Sequence, residues 1–175
     1  MKACAKFLFA LAIAAAMMLA FRALAFTVCI VGGDGLGSEL QAGDRLLVNR
    51  WSYGLRTGSD GSLFRYGRLL RRPVGHGDIV VFDSPVDSLP GVFICRCTAI
   101  PGDTVRTDAG LEIVPGKVTC ADGDFYWMES LDKPGTMDSR TFGFVPESSI
   151  IGRVCLTLYN HDDTQPFYKG YRKRQ

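Results

Sequence analysis

The first 31 residues contain the longest apolar stretch of the chain. Residues 7–21 carry no charge, and the apolar character resumes after Arg22 and continues to Val31, which gives 25 residues interrupted by one arginine. As a helix, the uncharged part alone would span about 22 Å, which is short of the roughly 30 Å hydrocarbon layer of a bilayer. An arginine near the end of a span reaches the headgroups at low cost. We therefore predict one membrane-anchor helix with its juxtamembrane segment in residues 1–31.

The charges beside this stretch predict its orientation. Lys2 and Lys6 precede the apolar run. Positive charge on this side favours an N-terminus in the cytoplasm. The chain would then cross the cytoplasmic (inner) membrane once, and the β-domain would lie outside. A cleavable signal peptide is the alternative, because a basic start, an apolar run and the small residues Ala23 and Ala25 fit a cleavage site. Both interpretations export the rest of the chain.

Short apolar runs separated by Gly, Pro and Asp fill the sequence after residue 31. The runs are rich in β-branched and aromatic residues and too short for helices, and none shows a 3.6-residue period. The pattern predicts a mainly β, largely antiparallel domain over residues 32–160. Its predicted strands cover residues 45–49, 78–82, 92–100, 111–114, 118–120, 125–128, 142–145 and 150–158.

Two polar segments stand apart from these runs. Residues 52–73 form an excursion with a Gly/Ser/Asp middle and a basic end, and residues 161–175 form a basic tail. We expect the excursion to be a solvated loop. The alternative is contact with anionic lipid headgroups through its arginines, which are Arg65, Arg68, Arg71 and Arg72.

The composition narrows the class of protein. A length of 175 residues is sufficient for one small domain with a core. The hydrophobic fraction of 47% excludes a disordered chain. The net charge of +2 comes from the N-terminus, since the chain from Phe26 onward carries 17 basic and 18 acidic residues. A strongly basic nucleic-acid-binding protein is therefore excluded, and nothing indicates a cofactor.

The chain has six cysteines, two of them in or beside the apolar N-terminus. Cys95 and Cys97 lie in one predicted strand, where a direct bridge would be at the limit of the allowed geometry, so a disulfide between strands is favoured in an oxidising compartment. A metal site would need His76 or His161 to join the cysteines. Because the spacing matches no standard metal module, we expect no metal site.

Three motifs follow one another in a characteristic order. GLGSELQAGD (35–44) runs into the first predicted strand of the domain. GDIVVFDSP (77–85) is followed by CRCTAIPGDTV (95–105), and MDSRTFGFVP (137–146) comes last. These segments resemble the bacterial type I signal peptidases, or leader peptidases, over roughly residues 15–157.

The resemblance implies a signal-peptidase-like β-domain behind a membrane anchor, and a family reaction in which signal peptides are cleaved from exported preproteins. The family uses a serine nucleophile and a lysine general base, which accepts a proton only when burial keeps it neutral. The motifs place Gly35 in the nucleophile slot and Cys95 in the base slot. Gly33 occupies the position of the hydroxyl that stabilises the oxyanion. All three reacting groups are therefore missing.

The third motif keeps residues that support the site in the family, namely Thr136, Asp138 and Arg140. We expect Asp138 to pair with Arg140 and to order the wall behind the former active site. The alternative is an ordinary surface ion pair. For Cys95, we expect a small buried residue of a core strand.

The sequence thus predicts a protein of the secretory pathway that is catalytically inactive. It would bind signal peptides or preproteins, or associate with an active signal peptidase, in contact with membrane lipid. One alternative is an active peptidase with a relocated nucleophile, Ser38 or Cys95, with a histidine as base. Another is a soluble β-domain that is released after Ala25.

The resemblance also implies an apolar face near the active site that lies against the membrane and receives an extended substrate by strand addition. The candidates for this exposed face are Trp51, Tyr53, Leu55 and Phe82.

Overall fold

The computed structural model describes residues 2–32, 40, 43–57, 66–120, 123–131 and 137–159. The described helices are α1 (Lys2–Ala25), α2 (Ser139–Phe142) and a 3-10 helix (Glu147–Ser149). The described strands are β1 (Phe26–Ile30), β2 (Arg45–Asn49), β3 (Leu55–Thr57), β4 (Gly67–Leu69), β5 (Ile79–Asp83), β6 (Val92–Ala99), β7 (Thr104–Thr107), β8 (Gly110–Ile113), β9 (Phe125–Glu129), β10 (Val145–Pro146) and β11 (Ile150–Tyr159).

The fold is mainly β and antiparallel, as the sequence predicts. Seven strands form one sheet in the order β1-β2-β11-β5-β6-β9-β10, and two hairpins, β3–β4 and β7–β8, stand beside it. Because β2 pairs with β11 from the other end of the chain, the sheet brings distant segments together and depends on contacts that are long-range in sequence.

The N-terminal segment differs in part from the expectation. Helix α1 ends at Ala25, and Phe26–Ile30 continues as strand β1 rather than as part of an apolar helix. The sequence FTVCI is β-branched and aromatic, and all five of its residues pair with β2. Within the described part of the chain, no helix combines the length and the apolarity needed to cross a membrane.

The predicted strand at 118–120 is wrong. Thr119 and Cys120 instead donate their backbone N–H groups to the Gly116 carbonyl at 2.8 and 2.7 Å, which closes a turn. The predicted strand at 142–145 is divided between the end of α2 and the start of β10. Gly143 separates them at a φ of 76°, a backbone conformation that other residues rarely adopt.

The excursion is not a solvated loop in its described part. Strands β3 and β4 form a hairpin, and the Arg68 side chain is only 1% exposed. Arg71 donates from Nε to Glu147 Oε1 at 2.6 Å and also bonds Asp124, which raises the pKa of its guanidinium. The two arginines therefore tie the hairpin to the 3-10 helix. Arg72 is exposed, and Arg65 lies outside the described residues.

The sheet is curled, so that its first strands approach its centre. Val31, just after β1, and Leu46 of β2 belong to one apolar cluster with Leu40, and this cluster packs against Ile94 of β6 and Leu131 beyond β9. Val31 and Leu40, on either side of residues 33–39, therefore belong to one apolar cluster. A larger core of buried residues from β5, β6 and β9 lies beside it.

Candidate active site

Strand β6 carries the residue of the base slot into the interior. Cys95 is 2% exposed, and its thiol donates a long hydrogen bond to the Met137 carbonyl, with 3.8 Å between Sγ and the oxygen. β6 lies between β5 and β9 in the sheet, and the alternation of the strand turns Cys95 and Cys97 to the same buried face. The second and third motifs therefore meet at Cys95 and Met137.

Asp138 forms the wall next to this thiol. It is 1% exposed and is the N-cap of α2, because its Oδ1 accepts from the Arg140 N–H at 2.9 Å. Its Oδ2 accepts from the Ser130 N–H at 3.3 Å and lies 3.9 Å from the Arg140 guanidinium. Arg140 also reaches Glu129 at 3.5 Å. The carboxylate is thus held by backbone donors, and its partner Arg140 is half exposed.

Ser139 is a supporting residue that the sequence analysis did not single out. Its side chain is buried, and its Oγ accepts from the Met128 N–H of β9 at 2.9 Å. This bond fixes α2 to the edge of the sheet. The position of Ser139 between Asp138 and Arg140 in the third motif was the available signal.

Described residues flank the segment that contains the glycine slots. Val31 and Leu40 bracket the segment that contains Gly33, Gly35 and Ser38, and both pack in the cluster with Ile94, the neighbour of Cys95. Gly33, Gly35, Ser38 and the supporting Thr136 lie outside the described residues.

Burial makes Cys95 a poor reagent. Removal from water, with a smaller contribution from the Asp138 charge, raises the pKa of this thiol to about 12. A thiol must lose its proton to act as a nucleophile or base. At neutral pH Cys95 is therefore a neutral, apolar group in the base slot.

Other basic side chains of the described β-domain point to different partners. His76 is exposed, and its two ring nitrogens contact the Thr98 carbonyl at 3.2 Å and Asp103 Oδ2 at 3.1 Å. Lys117, the only described lysine beyond residue 31, is also exposed. Neither of them has a contact with Cys95, and His161 lies outside the described residues.

The described cysteines differ from the predicted disulfide arrangement. Those with a described side chain form no disulfide, and in that part of the chain no cluster of three or more His, Cys, Asp or Glu residues could hold a metal ion. The cysteines concerned are Cys29, Cys95, Cys97, Cys120 and Cys155.

A cavity of about 640 Å³ lies beside α2. It is lined by the β7–β8 hairpin, by Arg140 and by the edge-to-face pair Trp127 and Phe144, whose ring centroids are 5.4 Å apart. Ser139 and Arg140 of the third motif line this cavity, whereas Cys95 and Asp138 do not.

The raised pKa of Cys95 predicts a pattern of chemical labelling. At pH 8, a pKa of about 12 leaves about one Cys95 thiol in 10⁴ as thiolate. We expect iodoacetamide to modify the exposed Cys155 in the native chain and to leave Cys95 unmodified, as measured by peptide mass spectrometry. The denatured chain is the control, and both cysteines should react there. Native Cys95 reacting as fast as Cys155 would contradict this prediction and favour Cys95 as a nucleophile.

The curled antiparallel sheet, with the second and third motifs joined at Cys95 and Asp138, has the architecture expected of a signal-peptidase β-domain. Residues 4–122 match the family described as "Signal peptidase, peptidase S26". The match covers more than half of the chain, so the chain belongs to this family.

Similar proteins agree with this assignment. "Probable signal peptidase I-2" of Synechocystis sp. is 26% identical over 150 residues, which cover 74% of this chain and 61% of that protein. "Probable signal peptidase I-1" of the same organism is 26% identical over 152 residues, which cover 74% of this chain and 69% of that protein. "Mitochondrial inner membrane protease subunit 1" of Xenopus tropicalis is 33% identical over 84 residues, which cover 47% of this chain and 48% of that protein. The chain thus spans about three fifths of the length of the first relative.

The structure also corrects the proposed apolar face. Tyr53 and Phe82 are buried at 3% and 0% exposure, Leu55 is half-buried, and Trp51 is 39% exposed. Tyr53 is directed inward because its hydroxyl donates to Asp78 Oδ2 at 3.0 Å. Of the four candidates, only Trp51 belongs to the surface.

Proposed function

We propose that this chain binds signal peptides or preproteins without cleaving them. The observation that carries the proposal is the state of the base slot: a neutral, buried Cys95 thiol that is hydrogen-bonded to the Met137 carbonyl. A serine peptidase needs a group there that accepts a proton at neutral pH. The wall of the site, with Asp138, Ser139 and Arg140, is retained.

The edge of the main sheet supports a binding role. β1 pairs with β2 on one side, and its other side has no strand partner among the described residues. Phe26, Val28 and Ile30 alternate outward on this strand, at 39, 52 and 63% exposure. An extended peptide adds to such an edge through its backbone and places alternate side chains on an apolar surface. The signal-peptidase names of two relatives indicate the class of peptide.

Membrane attachment through α1 is part of the same proposal. The helix has 24 residues, and the large apolar side chains described on it, including Phe7, Phe9 and Met18, are 44–70% exposed. Large apolar side chains in this number are costly in water. We infer that α1 is embedded in the cytoplasmic membrane, with Lys2 and Lys6 on the cytoplasmic side and the β-domain outside. An active signal peptidase in the same membrane is a further candidate partner.

A cleavage assay tests the loss of the reaction. The full chain in phospholipid vesicles is mixed with a preprotein, and the Synechocystis signal peptidase I-2 is the positive control. We expect no product from this chain above the background without protein. In the double variant Gly35→Ser/Cys95→Lys we expect detectable cleavage, because it returns a hydroxyl and an amine to the two slots.

Binding is measured in parallel with a fluorescently labelled signal peptide. We expect the unmodified chain to bind this peptide and to leave it intact. Cleavage at the rate of the positive control would overturn the proposal. In that case Ser38→Ala and Cys95→Ala, assayed separately, identify which relocated nucleophile is used. Absence of both cleavage and peptide binding would also overturn it, and would leave association with an active peptidase to be tested by co-purification.

A further inference from the structure

The cavity beside α2 carries charges of both signs on its wall. The β7–β8 hairpin contributes Arg106, Asp108 and Glu112, and α2 contributes Arg140. The cavity volume of about 640 Å³ lies in the range of roughly 300–1,000 Å³ that is usual for sites of small ligands. Because the two arginines and the two acids balance, the wall does not favour a ligand of a single sign. A ligand that carries both signs matches it.

Glu112 provides a carboxylate on the hairpin side of the cavity. It lies directly opposite Val105 in the hairpin, and residues in this position share one face. Val105 packs against the buried cluster that contains Trp127, so Glu112 is on the face turned toward this cluster. The side chain is half-buried, and it forms no ion pair or hydrogen bond with another described residue. Such a carboxylate attracts an ammonium or guanidinium group.

Arg140 provides a guanidinium on the α2 side. It lies 3.5 Å from Glu129 and 3.9 Å from Asp138, and both contacts are longer than the roughly 2.7–2.9 Å of a charge-assisted hydrogen bond. The planar fork of an arginine fits a carboxylate, so donors of Arg140 are available to a ligand. Glu129 also accepts from Trp127 Nε1 at 3.1 Å, which ties this guanidinium to the aromatic part of the wall.

The two charges do not neutralise each other across the cavity. Glu112 and Arg140 both line it, and no ion pair joins them. Trp127 and Phe144, which pack edge-to-face, add an apolar surface to the same wall. A molecule with a carboxylate, a cationic group and an apolar part therefore has a partner for each of its groups.

The hairpin wall is held in place before any ligand binds. The Val114 N–H donates to the Asp103 carbonyl at 2.8 Å, and the Gly102 N–H donates to the Val114 carbonyl at 3.0 Å. Val114 is 1% exposed and belongs to the cluster with Trp127. These bonds fix the base of the hairpin on the core. Little ordering of the wall is then needed on binding, which favours affinity for a small ligand.

We propose that this cavity binds a short zwitterionic peptide, with its carboxylate on Arg140 and its cationic group on Glu112. The peptide has two sources of the same chemistry. In a free peptide the termini carry the charges, and in a segment of a longer chain one basic and one acidic side chain carry them. The inference does not depend on peptide binding at β1, because no residue of β1 lines the cavity.

The test uses Trp127 as the reporter, since it lines the cavity and is one of two tryptophans in the chain. The full-length variant Trp51→Phe, in detergent, is titrated with the tripeptide alanyl-phenylalanyl-alanine. We expect a saturable change in emission. Calorimetric titration of the wild-type chain should give the same dissociation constant, which checks that the substitution at Trp51 is neutral. The acetylated and amidated tripeptide is the uncharged control, and its affinity should be at least about tenfold lower.

Pairing each protein charge with one peptide terminus tests the assignment. Glu112→Gln should weaken the free tripeptide about tenfold and leave the affinity of its acetylated form unchanged. Arg140→Gln should weaken the free tripeptide similarly and leave the amidated form unchanged. A general disturbance of the fold would weaken all forms alike. Asp87→Asn is the matched control, because Asp87 is exposed and does not line the cavity, and all affinities should be unchanged.

A blocked lysyl-phenylalanyl-aspartyl peptide distinguishes the two sources, because only its side chains are charged. If it binds as well as the free tripeptide, the proposal is supported with a segment of a longer chain as the ligand. If only the free tripeptide binds, the proposal is supported with a free peptide as the ligand. Three results would overturn it: no binding of either peptide, equal binding of the free and the blocked tripeptide, or binding that Glu112→Gln or Arg140→Gln does not weaken.

Discussion

Replacement of Arg68 by alanine is expected to lower the free energy of unfolding by about 3–5 kcal/mol, because it leaves three buried backbone carbonyls without their donor and the Glu147 carboxylate with Arg71 as its remaining cationic partner. The Arg68 side chain is 1% exposed and that of Glu147 is 7% exposed, with 3.7 Å between Nε and Oε1. The guanidinium also donates to the carbonyls of Glu147 at 3.0 Å and Gly54 at 3.3 Å, to the Ile150 carbonyl, and to the Tyr66 hydroxyl at 2.6 Å. Loss of the guanidinium leaves these acceptors without their Arg68 donor at the same time.

Urea denaturation of the full chain in detergent, followed by circular dichroism, measures the loss. Arg72→Ala is the matched control, since it removes the same side chain from an exposed position of the same segment, and we expect a change within about 0.5 kcal/mol. A loss below about 1 kcal/mol for Arg68→Ala would show that water replaces the guanidinium. The β3–β4 hairpin would then be held by its apolar contacts.

The five inner strands of the main sheet, β2, β11, β5, β6 and β9, were predictable from sequence because each is a β-branched or aromatic run. Arg45–Asn49 has the predicted bounds, and Ile79–Asp83 differs by one residue at each end. Thr104–Thr107 was not predicted, because its alternation is visible only once its pairing with β8 is known. The boundary between α1 and β1 was missed for a related reason. Apolar residues continue across it, and only pairing with β2 distinguishes the two elements.

The candidate site was proposed only through the family resemblance, which assigned Cys95 and the third motif to one site. The structure shows the Cys95 thiol in contact with the Met137 carbonyl. The burial of Arg68 was not predictable. Its acceptors are about 80 positions away in the chain, at Glu147 and Ile150, so nothing in the local sequence separates it from the exposed Arg72.

Gly152→Ala is expected to destabilise the sheet by about 3 kcal/mol, because the added methyl group would collide with backbone. A Cβ at this position would lie 2.5 Å from the Asn49 carbonyl oxygen and 3.0 Å from Arg50 Cα. Neither atom belongs to a flexible side chain. Gly152 lies in β11 between its two neighbours, β2 and β5, at an irregularity of register after Ile150. Relief of the collision therefore requires the end of β2 to separate from β11.

The control for this substitution is Gly91→Ala, where the nearest atoms are ring carbons of Phe93 at 3.6 Å and a methyl group fits. We expect a change within about 0.5 kcal/mol for the control in the same urea titration. Equal and small losses for both variants would mean that β2 and β11 move apart without cost. Tryptophan fluorescence also reports this collision, because Trp51 directly follows Arg50. A shift of this backbone changes the surroundings of Trp51, so the emission of Gly152→Ala should differ from wild type in native buffer, and that of Gly91→Ala should not.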